Sequence, residues 1–154
     1  MLRQENTGDE NVIRETYYDD EGNKVVGVSG FVTRVQTLSK KKITSIAWLD
    51  ENGMPMPLKG ETYCRVEYTY DKAGNINREK YYGADGNPVR CSGGYAIVYR
   101  EFDVYQQVVY EKFYDTDGFA VILPDGAVCY RYEYDEDGNM IRKTGYDYYD
   151  HEVE

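Results

Sequence analysis

The chain has 154 residues and 17.9 kDa, with 18 Lys and Arg against 28 Asp and Glu, a formal net charge of −10. That length suits one ordinary domain, and a mean hydropathy of −0.74 with no long apolar run excludes a membrane-spanning helix. The acidic excess argues against binding a phosphate backbone, which needs clustered Lys and Arg.

The residue balance is that of strands: 22 Val and Ile stand against 5 Leu and 6 Ala, and 18 of the 23 aromatics are Tyr. The opening segment, Met1 to Glu10, carries no apolar stretch of the kind a secretion signal needs. No strand precedes Asn11 convincingly, so residues 1–10 are expected to fray and the chain to begin mid-unit, as a piece of a longer array would.

From Asn11 onward the sequence repeats. An aromatic-acid-Gly signature recurs at Tyr17-Tyr18-Asp19-Asp20-Glu21-Gly22, Trp48-Leu49-Asp50-Glu51-Asn52-Gly53, Tyr81-Tyr82-Gly83-Ala84-Asp85-Gly86 and Phe113-Tyr114-Asp115-Thr116-Asp117-Gly118. The glycines are 31, 33 and 32 residues apart. A second signature keeps the same phase. Tyr70-Asp71-Lys72-Ala73-Gly74-Asn75 returns as Tyr134-Asp135-Glu136-Asp137-Gly138-Asn139, with a degenerate copy from Phe102 to Gln107 between them.

One unit of about 32 residues therefore reads as strand, Asp-x-x-Gly-Asn turn, strand, aromatic-Asp turn, short extended piece and Gly-rich joint. The turns rest on Gly22, Gly53, Gly74, Asn75, Gly86, Gly118, Gly138 and Asn139, residue types that accept the positive φ of tight hairpins. Joints fall near residues 29–30, 59–60, 92–94 and 125–126. The basic run Ser39-Lys40-Lys41-Lys42 sits at another turn and reads as a solvated hairpin tip. Strand positions alternate: Cys64, Val66 and Tyr70 fall on one face, with Arg65, Glu67 and Thr69 on the other. No segment holds a helical period.

The fold expected is all-β: tandem antiparallel hairpins in an elongated, twisted or curling sheet. One repeat domain spans residues 11–147 in about four and a half units, and residues 148–154 form an acidic tail. An open array leaves end strands unpaired, so self-association through sheet edges is expected.

The motif Tyr-Asp-x-x-Gly-Asn followed by a strand resembles the YD/RHS-type tandem repeats of bacterial surface and toxin-shell proteins. The Tyr-Tyr-Asp-x-x-Gly pieces also resemble choline- and glucan-binding surface repeats. These likenesses cover most of residues 11–147, although the unit is longer than usual and Trp48 is its only Trp. They imply hairpins laid side by side inside a larger protein at the cell surface or outside the cell. No catalytic residues are implied, and a Trp-built choline cage does not carry over.

The single histidine, His151, lies in the acidic tail, and the carboxylates are multiplied by the repeat with none singled out, so no catalytic residue is assigned and no cofactor is expected. Asp115, Asp117, Asp135 and Asp137 alternate before a Gly as calcium ligands do, yet twelve-residue loops from Asp115 and Asp135 would end on Gly126 and Tyr146, not Glu. The turn reading is preferred, with no metal. Cys64, Cys91 and Cys129 lack metal spacing and read as small apolar residues; a Cys64–Cys129 bridge would need neighbouring strands.

The tyrosines remain. Tyr18, Trp48, Tyr82, Tyr114 and Tyr146 are expected to form a structural aromatic ladder, packed unit on unit. The less regular Tyr63, Tyr95, Tyr99, Tyr105 and Tyr110 are the candidate ligand-binding residues, since Tyr offers a flat apolar face and a hydroxyl. The function expected is a non-catalytic binding module for a glycan or protein surface, with a purely structural spacer as the alternative. Neither nucleic acid nor membrane insertion is expected.

Overall fold

The computed structural model describes residues 1–154 and contains strands only. The strands are β1 (Leu2–Glu5), β2 (Val12–Tyr17), β3 (Thr33–Ser39), β4 (Lys42–Leu49), β5 (Arg65–Tyr70), β6 (Ile76–Tyr82), β7 (Ile97–Phe102), β8 (Val108–Tyr114), β9 (Cys129–Tyr134), β10 (Met140–Tyr146) and β11 (Glu152–Val153). They form one open antiparallel sheet in sequence order, β1 to β11. This is the all-β succession of hairpins that the repeat dictates.

The Asp turns explain why. In turns headed by Asp19, Asp50, Asp71, Asp103, Asp115, Asp135 and Asp147, the Asp Oδ1 accepts the backbone N–H two and four residues on, at 2.8–3.0 Å. The fourth residue of each turn lies in the left-handed region. It is Gly22, Gly53, Gly74, Gly118 or Gly138 in five turns, but Gln106 (φ 65°) and Asp150 (φ 62°) in the other two. The variant copy at 83–87 keeps the geometry through Gly83 and Asp85, with Gly86 in the left-handed position. Backbone hydrogen bonds hold the Asp carboxyls of Asp19, Asp71, Asp135 and Asp147 below the usual carboxylate range. Asp115 and Asp135 thus use Oδ1 to shape their own turns. Lys40 and Lys41 form the β3–β4 tip with positive φ, as a two-residue hairpin requires.

Both ends depart from expectation. Residues 1–10 are not a loose segment: β1 pairs along its length with β2, from Leu2 opposite Tyr17 to Glu5 opposite Arg14. The pairing was illegible because Arg3, Gln4 and Glu5 show no apolar alternation. At the other end, residues 147–151 make a further Asp turn, and β11 then pairs with Gly145 and Tyr146. The tail therefore continues the repeat.

The two apolar clusters sit on one face, at the end of the hairpins away from the β5–β6, β7–β8 and β9–β10 tips. There the joints fold back over the sheet. Leu58, Val89 and Cys91 pack on Val66 and Tyr81, and Val121 and Leu123 pack on Val98 and Phe113. We call this the inner face. All three cysteines are buried and unbridged.

Candidate functional site

Along the inner face the aromatic rings alternate between strand and joint from Trp48 to Phe113, and Tyr130 of β9 closes the row. Trp48 packs on Tyr63 with centroids 5.7 Å apart, Tyr63 on Tyr81 at 4.7 Å, Tyr81 on Tyr95 at 6.1 Å, Tyr95 on Phe113 at 4.7 Å and Phe113 on Tyr130 at 6.0 Å. A shorter pair, Tyr17 on Phe31 at 5.3 Å, lies in the first unit. Burial pushes the Tyr68 and Tyr95 hydroxyls up to about 12. Tyr130 reaches about 12 through burial and its hydrogen bond to Asp125.

This arrangement corrects the expected ladder. Of Tyr18, Trp48, Tyr82, Tyr114 and Tyr146, only Trp48 is in the stack. The four tyrosines project from the opposite, outer face and do not pack on one another. Each instead lies beside a cation: Arg3 over Tyr18, Arg65 over Tyr82, Lys112 over Tyr114 and Arg131 over Tyr146. Four of the strand-borne stacking rings, Tyr17, Trp48, Tyr81 and Phe113, stand five positions before Gly22, Gly53, Gly86 and Gly118.

The candidate binding tyrosines separate as well. Tyr63 and Tyr95 are stack residues, half-buried between strand rings. Tyr99 and Tyr110 come together on the outer face with centroids 6.3 Å apart. Burial raises both hydroxyls, with Glu101 adding to the shift at Tyr99 and Cys129 at Tyr110. Tyr105 stands alone at the β7–β8 tip, 81 % exposed, beside a recess bordered by Asp135, Glu136 and Asp137.

The inner face also carries a charged cluster. Arg100 reaches Glu79 at 3.1 Å and Glu111 at 2.8 Å, and the Tyr132 hydroxyl donates to Glu111 at 2.7 Å. Both carboxylates are thus held by one guanidinium.

One recess lies on the outer face. A groove of about 380 Å³ runs between the turn at 115–119 and the turn at 147–151, and its lining includes Tyr110, Lys112, Tyr114 and Cys129. Phe119 and Tyr148 line it too, 69 % and 63 % exposed. One unit earlier, a smaller groove of about 230 Å³ is formed by Arg78, Ile97, Tyr99, Tyr114 and Gly118. Arg78 and Tyr110, Ile97 and Cys129, and Gly118 and Asp150 are repeat equivalents, 32 residues apart. Two grooves therefore occupy the same place in successive units.

Their rims differ. The place of Phe119 is held by Asn23, Met54 and Asn87 in earlier turns, and the place of Tyr148 by Asp20, Glu51, Ala84 and Thr116. The aromatic rim was missed in the sequence, although aligning the turns on their left-handed residue exposes the substitution. No protein-family model matches the chain, and no curated protein matches it.

Proposed function

We propose that the chain is a non-catalytic binding module, a repeat sheet that presents its outer face to a glycan or protein surface. The observation that carries this reading is the Phe119–Tyr148 groove. Large aromatic side chains stand exposed there, at turn positions whose geometry does not need them and where earlier units hold smaller or polar residues. The non-catalytic part rests on how the reactive groups are held. The Asp carboxylates shape turns, Glu79 and Glu111 share Arg100, and His151 is a turn residue with its side chain 78 % exposed. The resemblance to bacterial tandem repeats supports a setting in a larger surface or secreted protein.

A spacer without any ligand is the second reading. It is favoured by how many of the other tyrosines are engaged, on the inner face in the stack and on the outer face under Arg and Lys. The two readings separate on glycan and peptide arrays probed with the intact chain and with Phe119→Ala and Tyr148→Ala. Retention lost in these variants, with melting unchanged, supports the module. Absence of retention on both arrays supports the spacer.

A further inference from the structure

We infer that the two adjoining outer-face grooves form one trough for a linear, neutral oligosaccharide, with a sugar ring seated between Phe119 and Tyr148 and the chain continuing past Tyr114 toward Ile97 and Tyr99. This rests on the binding-module reading above and names its ligand. Continuity comes first. Tyr114 and Gly118 line both grooves, so the two share a border.

The lining then selects the chemistry. Phe119 and Tyr148 offer flat apolar faces at the rim, suited to the C–H face of a pyranose. Lys112 can donate, while Asp147 and Asp150 accept, within one groove of about 380 Å³. Both signs of charge meet there, although the whole chain carries −10. A polyhydroxyl ligand satisfies donors and acceptors together, whereas a highly charged ligand meets like charge on one wall. A groove of this volume falls within the range of small-molecule sites, roughly 300–1,000 Å³.

Spacing sets the length. Equivalent points of successive units are two strands apart, about 9.6 Å at the usual strand separation. That is close to the reach of a disaccharide, so neighbouring grooves would engage alternate sugars of one chain. Linked weak contacts of this kind gain by effective concentration.

The experiment is calorimetry of the intact chain with cello-, malto-, laminari- and xylo-oligosaccharides from monosaccharide upward, alongside sulfated and uronic-acid glycans and a peptide array. Affinity is expected to rise with oligomer length until both grooves are spanned. Phe119→Ala and Tyr148→Ala should each weaken binding about tenfold, the size of one lost aromatic contact. Tyr99→Ala should remove the gain with length while sparing the shortest binders. Binding that ignores length, or that favours the charged glycans, overturns the inference. Retention only on peptides, lost in Phe119→Ala, overturns the saccharide and leaves the binding module standing. Silence on every probe, with the chain folded, overturns both.

Discussion

Tyr81 and Tyr82 are adjacent in the chain and stand on opposite faces of the sheet. Tyr81 is 8 % exposed, between Tyr63 and Tyr95 in the inner stack, while Tyr82 lies under the Arg65 guanidinium at 4.0 Å. Replacing Tyr81 with Ala leaves a ring-sized cavity under the joint, and the expected loss is about 3–5 kcal/mol. Tyr82→Ala removes a cation–π contact and a hydrogen bond to Glu67, so about 1–2 kcal/mol is expected. Phe113→Ala and Tyr114→Ala should show the same contrast. Urea melts of the four variants check it; equal losses within either pair would contradict the assignment of faces.

The turn headed by Asp103 supplies a stabilising substitution. Gln106 holds φ 65°, where five of the seven Asp-headed turns place glycine. A side chain in that region costs about 1–2 kcal/mol, partly offset by the greater freedom of glycine in the unfolded chain. Gln106→Gly is therefore expected to stabilise by about 0.5–1 kcal/mol. Gly74→Ala should do the reverse, since Gly74 has φ 91° and a Cβ there would stand 2.9 Å from the Lys42 Nζ. Thermal melts of both variants decide the matter.

Alkali should unfold the sheet from within. Tyr68, Tyr95 and Tyr130 ionise near 12 in the folded chain against an ordinary value of 10.0, chiefly because burial disfavours the phenolate. A folded value above the unfolded one means that their contribution is complete below pH 10. It is then lost as pH rises through about 12. Circular dichroism and phenolate absorbance, followed together, should show the sheet melting as these rings ionise. Ionisation of all the tyrosines with the sheet intact would refute this.

Acid acts through the turns. The carboxyls of Asp19, Asp71, Asp135 and Asp147 sit below the ordinary value because backbone N–H groups bond to the charged form. Their contribution is present above the unfolded value of 3.8 and falls away as pH drops through the lower folded values. Asp71→Asn should flatten the dependence of stability on pH below that value, because the amide oxygen still accepts but does not titrate. Denaturant midpoints measured across the acid range for parent and variant provide the comparison.

Much of the fold is legible in the order of residues. Asp-x-x-Gly recurring in two phases, with Val, Ile and Tyr alternating between, leaves antiparallel hairpins as the one arrangement that satisfies the backbone at each turn. The cysteines, isolated in spacing, read correctly as buried apolar groups. The pairing of β1 with β2 was hidden, because Leu2-Arg3-Gln4-Glu5 shows no apolar alternation.

The choice of faces belongs to the tertiary structure. A strand has period two, so a shift of one residue exchanges its faces, and Tyr-Tyr pairs such as Tyr17-Tyr18 and Tyr81-Tyr82 look alike in either setting. What breaks the tie is the joint: Val89, Cys91 and Tyr95 fold over the side of Tyr81, and burial follows. The same event drew Tyr63 and Tyr95 into the core and left Phe119 and Tyr148 on the rim of the groove. Local sequence determines where the chain turns; only the packing of one unit against the next decides which aromatic rings meet each other and which meet solvent.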